Sequence, residues 1–305
     1  MEMTAVVNQM LVMLILLLLG VLCARIGLID AAMNKKLSVL VMNVTQSAMI
    51  LGSAMSLESE VGAKRVLAVL GIAFLALLIV YGLSFVYTFL LRVKRPERGT
   101  WQFLATLGNF GFMGFPVVSA LLGAQALFYN SLFLIPGMLF TYTVGVVMIR
   151  GGGRGELRLR SLLSPPLLAS VLAAVIVLLR VRFPAFLVTA ASTLGAMTTP
   201  GAMLVVGASL GMMSLKDVLG DWKMYVYALV RLLTGPVIVW LVLRLFVSDP
   251  LILRVAVLLV AMPSAMNTTM MALQYGGNEK VASRGVFLST IFSFITIPLL
   301  VWLLL

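Results

Sequence analysis

The sequence predicts an all-α integral membrane protein in which ten transmembrane helices form two inverted five-helix repeats. Three observations lead to this fold class. Of the 305 residues, 62% are hydrophobic and only 10% are charged, which exceeds what a water-soluble surface can carry. The apolar runs are about 20 residues long, as helices that cross a hydrocarbon core require. Short stretches with Gly, Pro and Asn interrupt long apolar runs at matching places in the two halves, as expected for a repeated unit.

Hydropathy and helix-breaking residues predict the ten spans, with ends uncertain by about 2 to 4 residues. The longest loop is a basic, Gly-rich connector at residues 151–164, so any activity is expected to reside in the membrane. The predicted spans are residues 7–24, 36–55, 66–91, 101–122, 126–149, 166–181, 185–212, 224–246, 251–275 and 281–304.

The distribution of basic residues predicts the orientation in the membrane. If the N-terminus is outside, the inner loops hold fifteen of the 22 Lys and Arg residues, the outer loops hold six, and Arg231 lies within a span. This bias favours a multi-pass protein of the cell membrane with both termini outside. Because the basic residues lie in short loops between spans, the membrane potential and anionic lipid account for the net charge of +12. Nucleic acid is therefore not an expected partner.

The two predicted repeats are residues 1–154 and 155–305. Because each holds five spans, the second begins on the opposite side of the membrane, and the repeats would be inverted. Residues 45–49 in span 2 resemble residues 199–203 in span 7, at an offset of 154 residues. Gly123 and Gly276, which close the two interrupted spans, are 153 residues apart. The two offsets agree closely.

The interruptions, residues 108–116 in span 4 and 262–269 in span 9, predict a binding site. Gly, Pro and Asn unwind a helix at membrane depth, and the freed N–H groups and half-helix ends favour an anion without placing a fixed cation in hydrocarbon. A small carboxylate fits best. The alternative is that the glycines only permit close packing and the prolines are tolerated kinks. The predicted substrate-binding residues are Asn109, Gly111, Gly114, Pro116, Pro263, Asn267, Thr268 and Thr269.

Arg231 is the only charged residue well inside a predicted span. An intramembrane Arg acts either as an anion partner or as a structural tie to backbone carbonyls, and both roles stay open. The methionines around the second break either line a ligand pocket or fill the core; they are Met262, Met266, Met270 and Met271.

Residue types that are missing exclude other functions. The chain has no His, and all ten carboxylates fall in loops or at span ends, so neither a proton relay, a metal site, a cofactor nor an enzymatic centre is expected. Coordination of sodium by carbonyls and hydroxyls remains open. Glu60 and Lys64 are expected to form an ion pair near the outer interface.

Five groups of residues together resemble one known family over essentially the full chain. They are Gly108-Asn109 through Pro116, Pro200 with Gly207, Arg231 through Pro236, Pro263 through Tyr275-Gly276, and Ser289-Thr290 through Ser293 and Pro298. The chain resembles the auxin efflux carriers, which are membrane transporters of bacteria and plants. One departure is Ser47, which stands where many members carry a proline that matches Pro200.

The resemblance implies an architecture like that of sodium/proton antiporters or bile-acid symporters. Spans 1, 2, 6 and 7 would form a scaffold, spans 3–5 and 8–10 a transport unit, and spans 4 and 9 would cross at the substrate site. The implied function is alternating-access transport of a small organic anion, such as malate, malonate or an auxin-like acid, by a homodimer. An anion channel or a ligand sensor without transport are the alternatives. Substrate identity, coupling ion and direction stay open.

Overall fold

The computed structural model describes residues 3–57, 61–151, 164–214 and 222–304. These residues form α-helices and three short π-helical segments. In the first half the elements are α1 (Met3–Arg25), α2 (Ala31–Leu40), π1 (Val41–Gln46), α3 (Ser47–Met55), α4 (Ala63–Leu90), α5 (Arg95–Thr106), π2 (Phe110–Gly114), α6 (Phe115–Phe140), π3 (Thr141–Gly145) and α7 (Val146–Ile149).

The second half continues with helices only. They are α8 (Pro165–Leu179), α9 (Ala185–Ala196), α10 (Thr198–Met212), α11 (Trp222–Leu243), α12 (Pro250–Ala261), α13 (Asn267–Tyr275) and α14 (Glu279–Leu304).

Seven helices in the described part of the chain are long and apolar enough to cross a membrane. Two shorter apolar helices, α8 and α12, accompany them. The protein is therefore a multi-pass membrane protein, whereas the number of ten spans and the inversion of the repeats stay predictions. The seven are Val7–Arg25, Ala31–Met55, Ala63–Leu90, Phe110–Ile149, Ala185–Met212, Trp222–Leu243 and Glu279–Leu304.

The helical stretch from Phe110 to Ile149 contains 40 residues, about 60 Å at 1.5 Å per residue, which is twice the thickness of a hydrocarbon core. It is interrupted at Gly123, whose φ is 79° and ψ −170°. An L side chain rarely adopts this conformation. The interruption separates the residues predicted as spans 4 and 5.

Polar caps fix the start of two helices. Asp30 accepts a hydrogen bond from the backbone N–H of Met33 at 2.7 Å, at the start of α2. Asp249 accepts one from Leu251 N–H at 2.9 Å, and Pro250 opens α12. Each carboxylate satisfies an N–H group that the helix leaves without a partner, so these acids serve helix ends rather than a catalytic pair.

One of two compact units consists of Met1–Gly71, Phe110–Pro136 and Leu163–Met212. Here we call it unit 1. Within it α1 packs closely on α10, because a Cβ added at Gly20 would come within 2.5 Å of the carbonyl oxygen of Leu204. Small residues that allow such an approach are typical of helix interfaces in membranes.

Unit 2 consists of Ile72–Asn109, Gly137–Leu162 and Met213–Leu305. Its core contains a group of large aromatic side chains. The rings of Trp101 and Tyr227 meet edge to face, with 4.9 Å between centroids, and Tyr227 donates a hydrogen bond to the carbonyl oxygen of Trp101. The division into repeats at residue 154, and the assignment of spans to scaffold and transport unit, stay predictions.

Two features predicted from sequence fall on residues outside the described part. Glu60, the acidic member of the predicted pair with Lys64, is one of them. Most of the basic connector, residues 152–163, is the other.

Candidate functional site

Two helices of unit 2 end inside long apolar stretches. The helix α5 ends at Thr106 and α12 at Ala261. The residues that follow, Leu107 and Met262, have extended backbone with ψ of 114° and 147°. Pro263 explains the second ending, because proline disfavours a helical conformation of the preceding residue and cannot donate to the helix.

The two extended segments pair with each other. Gly108 and Ser264 form an isolated antiparallel bridge. The N–H of Asn109 donates to the carbonyl oxygen of Pro263 at 2.7 Å, and the N–H of Ala265 donates to that of Leu107 at 2.9 Å. Backbone groups released by the ends of both helices are thus partly satisfied inside the protein, as membrane-spanning structures require.

Two serines hold this crossing in place. The buried N–H of Ser264 donates to Oγ of Ser289 on α14 at 3.0 Å, and the hydroxyl of Ser264 donates to the carbonyl oxygen of Leu104 at 2.9 Å. Sequence reasoning did not place Ser264 in the site. Its position directly after Pro263, where the chain must leave a helix, was the available signal.

Arg231 lies beside the crossing. The side chain, only 2% exposed, extends from α11, and its Nε donates to the carbonyl oxygen of Ala105 at 3.2 Å. Its guanidinium also donates to the carbonyl oxygen of Met262. These acceptors belong to the ends of α5 and α12, which carry partial negative charge. The contacts are those of the predicted structural tie, whereas contact with a substrate stays a prediction.

The charge of Arg231 has no acidic partner among the described residues. The ionisable groups that face it are the phenols of Tyr227 and Tyr87, and no carboxylate forms an ion pair with it in the described part of the chain. A buried charge without a counter-ion is costly in hydrocarbon. A negatively charged solute near the crossing would therefore gain from this charge.

Residues 267–269 follow the second break, at the start of α13. The Oδ1 atom of Asn267 is buried and has no hydrogen-bond partner. The hydroxyl of the buried Thr268 donates to the carbonyl oxygen of Ala265 at 2.6 Å, and Thr269 is half-buried. An amide oxygen accepts hydrogen bonds and the amide nitrogen donates them, so a carboxylate would have to be bound by Nδ2 of Asn267 rather than by Oδ1, while the hydroxyl hydrogen of Thr268 is already used.

The methionines near the second break do not share one environment. Met262 and Met271 are buried, and Met266 packs against the aromatic core of unit 2. Met270 is 65% exposed. These four methionines therefore do not line one common pocket.

The remaining predicted residues belong to unit 1. Gly111 and Gly114 lie in π2, and Pro116 follows at the start of α6. The structure thus brings Asn109 and Pro263 into direct contact within unit 2 and places the two glycines and Pro116 in unit 1.

The described residues contain no group of three or more His, Cys, Asp or Glu that could hold a metal ion. The polar atoms at the crossing are amides, hydroxyls and backbone groups, together with one guanidinium. This set suits binding and orientation of a solute by hydrogen bonds and charge.

Comparisons with known proteins give a family match and similar relatives. A family model described as "Membrane transport protein" matches residues 5–301. The chain is 26% identical to an uncharacterized transporter of Methanocaldococcus jannaschii over 308 aligned positions, which cover 98% of each chain. It is 27% identical over 237 positions to the Rhizobium meliloti protein named "Putative malonate transporter", covering 74% of this chain and 73% of the relative.

Proposed function

Because the chain belongs to the membrane transport protein family, that of the auxin efflux carriers, we propose that it is a secondary carrier for a small organic anion. The substrate class is a carboxylate such as malonate or malate. An auxin-like acid is a less compact member of the same class. The name of the Rhizobium meliloti relative supports the choice of a dicarboxylate as the first candidate.

One observation carries this proposal. The two extended segments of unit 2 pair through Asn109 and Pro263. The buried Arg231, which has no acidic partner among the described residues, bonds to the end of α12 next to Pro263. The crossing thus combines an interrupted backbone with an uncompensated positive charge. A transported anion that binds and leaves can serve as the counter-ion of Arg231, whereas a carboxylate side chain would occupy the site permanently. A carrier must release its solute after each cycle.

The proposed mechanism is alternating access in the cell membrane, with both termini outside. Residues 1–154 and 155–305 act as inverted repeats, spans 1, 2, 6 and 7 as a scaffold that dimerises, and spans 3–5 and 8–10 as the transport unit. The substrate binds to Asn109, Pro263, Asn267, Thr268 and Thr269, with Gly111, Gly114 and Pro116 shaping its path. The half-helix ends and Arg231 supply the attraction for the carboxylate.

Counterflow in proteoliposomes tests this function. Vesicles loaded with unlabelled malonate and diluted into trace labelled malonate are expected to accumulate label transiently, and the initial rate is expected to saturate with concentration. A carrier must reorient between half-cycles, so substrate on the far side accelerates exchange. Malate, succinate and indole-3-acetate in place of malonate rank the substrate class.

The two rival functions give different results in the same assay. An anion channel passes label at a rate that is proportional to concentration and that unlabelled malonate inside does not stimulate. A ligand sensor binds malonate without flux. Either result, obtained with folded protein, contradicts the carrier.

A further inference from the structure

Unit 1 contains a second group of buried polar side chains, around the peptide that joins Phe110 to Gly111 at the start of π2. Asn130 on α6 is fully buried, and its Nδ2 donates to the carbonyl oxygen of Phe110 at 3.5 Å. Gln46, the last residue of π1, is 1% exposed. A Cβ added at Gly111 would lie 3.3 Å from its Nε2 and 3.5 Å from its Oε1. Two amide side chains therefore border the same peptide.

Both amides have an oxygen without a hydrogen-bond partner. These are Oε1 of Gln46 and Oδ1 of Asn130, both buried. The bond from Nδ2 to Phe110 fixes the amide of Asn130, so that Oδ1 remains as an acceptor. Buried polar atoms are nearly always paired in proteins, and an exception calls for an explanation. Two such oxygens at one peptide indicate a ligand that donates hydrogen bonds or carries positive charge.

The neighbouring polar pair in unit 1 shows the contrast. The hydroxyl of Thr198 donates to Oγ1 of Thr45 at 3.1 Å, and Oγ1 of Thr45 donates to the carbonyl oxygen of Val41 at 3.0 Å. Thr45 directly precedes Gln46 along the chain, and its hydroxyl is satisfied within the protein. Among the described residues the amide oxygens of Gln46 and Asn130 border the Phe110–Gly111 peptide without a partner, and Oγ of Ser47, the residue after Gln46, is a further buried oxygen without one.

The local backbone supports a binding role. Gln46 ends one π-helical segment, and Phe110 and Gly111 begin another. Such wide turns disturb the regular hydrogen-bond ladder and occur often at functional sites. In membrane transporters, interrupted helices provide carbonyl groups that coordinate a coupling cation.

We propose that Gln46 and Asn130, with the Phe110–Gly111 turn, form a site for a monovalent cation of the Na⁺ type that is transported together with the organic anion. The ligands are neutral oxygens and no carboxylate is among them, so a divalent ion would lack the charge that it needs to leave its water shell. This inference rests on the proposed function, because the cation couples to the anion. The two are linked along the chain, since Asn109 directly precedes Phe110.

Thermal unfolding of the purified full-length protein tests the cation site without any organic anion. NaCl is titrated against choline chloride at constant ionic strength, with KCl and LiCl as further arms. A ligand that binds only the folded state raises its melting temperature in a saturable way. We expect Na⁺ to raise the melting temperature by several degrees and choline to have no effect.

Two variants assign the effect to these side chains. Gln46→Met and Asn130→Leu remove the amide oxygens at similar volume, and each is expected to raise the half-saturating Na⁺ concentration at least tenfold. Asn34→Leu is the matched control. Asn34 is also a buried Asn of unit 1 with an unpartnered Oδ1, but its amide donates to Ser209 at 2.8 Å, and its variant is expected to keep the Na⁺ response within twofold.

Each outcome decides one proposal. If Na⁺ and choline give the same melting temperature, or if Gln46→Met and Asn130→Leu fold and respond to Na⁺ as the unaltered protein does, the cation site is refuted and ordered water satisfies the two oxygens. In that case malonate counterflow that persists without Na⁺ leaves the carrier function intact. If Na⁺ binds and depends on Gln46, but no carboxylate is transported, the cation site stands and the carrier function fails.

Discussion

Replacing Arg231 by methionine is expected to weaken anion binding in proportion to the charge of the anion. The guanidinium contacts the carbonyl oxygen of Met262, and the next carbonyl, that of Pro263, lies 2.7 Å from the N–H of Asn109. With one residue spacing of about 3.8 Å and one hydrogen bond between them, the charge lies within about 10 Å of the Asn109 amide. A ligand bound there would experience this charge at close range.

The magnitude follows from Coulomb's law. At 10 Å and an effective dielectric constant of about 20, one negative charge gains about 1.7 kcal/mol from the guanidinium. Loss of this charge should raise the dissociation constant of a monocarboxylate by about 15-fold and that of a dicarboxylate more than hundredfold. Arg231→Lys keeps the charge and should stay within about threefold, although lysine lacks the planar fork that serves both carbonyls.

The assay is equilibrium binding of labelled malonate and of a labelled monocarboxylate to each purified variant. Thr234→Val is the matched control, because it removes the 2.7 Å hydrogen bond between Thr234 and Tyr87, one turn away on α11, without a change of charge. Folding is checked by the melting temperature of each variant. Folded Arg231→Met protein that binds mono- and dicarboxylates as tightly as the unaltered protein would refute the electrostatic reasoning.

Three substitutions test the packing around the crossing and in unit 1, each by the melting temperature of purified protein. Gly123→Ala should lower the free energy of unfolding by about 1 kcal/mol or more, because φ of Gly123 is 79°. Gly71→Ala, on an open helix surface, should be neutral or stabilising, and equal effects of the two substitutions would contradict this reasoning. Ser289→Ala leaves the buried N–H of Ser264 without an acceptor and should lower the free energy of unfolding by about 1–3 kcal/mol. Ser283→Ala, at an exposed site, should change it by no more than about 0.5 kcal/mol. Gly207→Val should cost at least about 1–3 kcal/mol, because an added Cβ would overlap the backbone carbonyl oxygen of Leu17 and lie 3.0 Å from Cα of Gly20. An unchanged melting temperature would show that α1 and α10 separate easily.

The interruptions could be predicted from sequence because their cause is local. Proline at position 263 and glycine at position 108 cannot continue or do not favour a helix, whatever surrounds them. The membrane class followed from composition in the same way. The family model that matches residues 5–301 confirms the resemblance to auxin efflux carriers.

The partners across the crossing could not be predicted, because they depend on contacts between distant parts of the chain. Ser264 and Ser289 are 25 residues apart, and Arg231 reaches Ala105 across 126 residues. Serine occurs in many helices, so its type carries little information about position. The π-helical turns at Gln46 and Phe110 could not be predicted from the sequence either, since residue type does not distinguish a wide turn from an α-helical one.

The central claim is that the crossing in unit 2 binds a carboxylate through amide groups, and Asn267 offers its most direct test. Asn267→Asp keeps the shape of the side chain and places a negative charge where a ligand is expected, at a cost of about 4 kcal/mol for two charges about 4 Å apart. Equilibrium binding of labelled malonate to this variant is predicted to weaken at least hundredfold, with the melting temperature of the free protein showing that it is folded. Malonate affinity equal to that of the unaltered protein would contradict the claim.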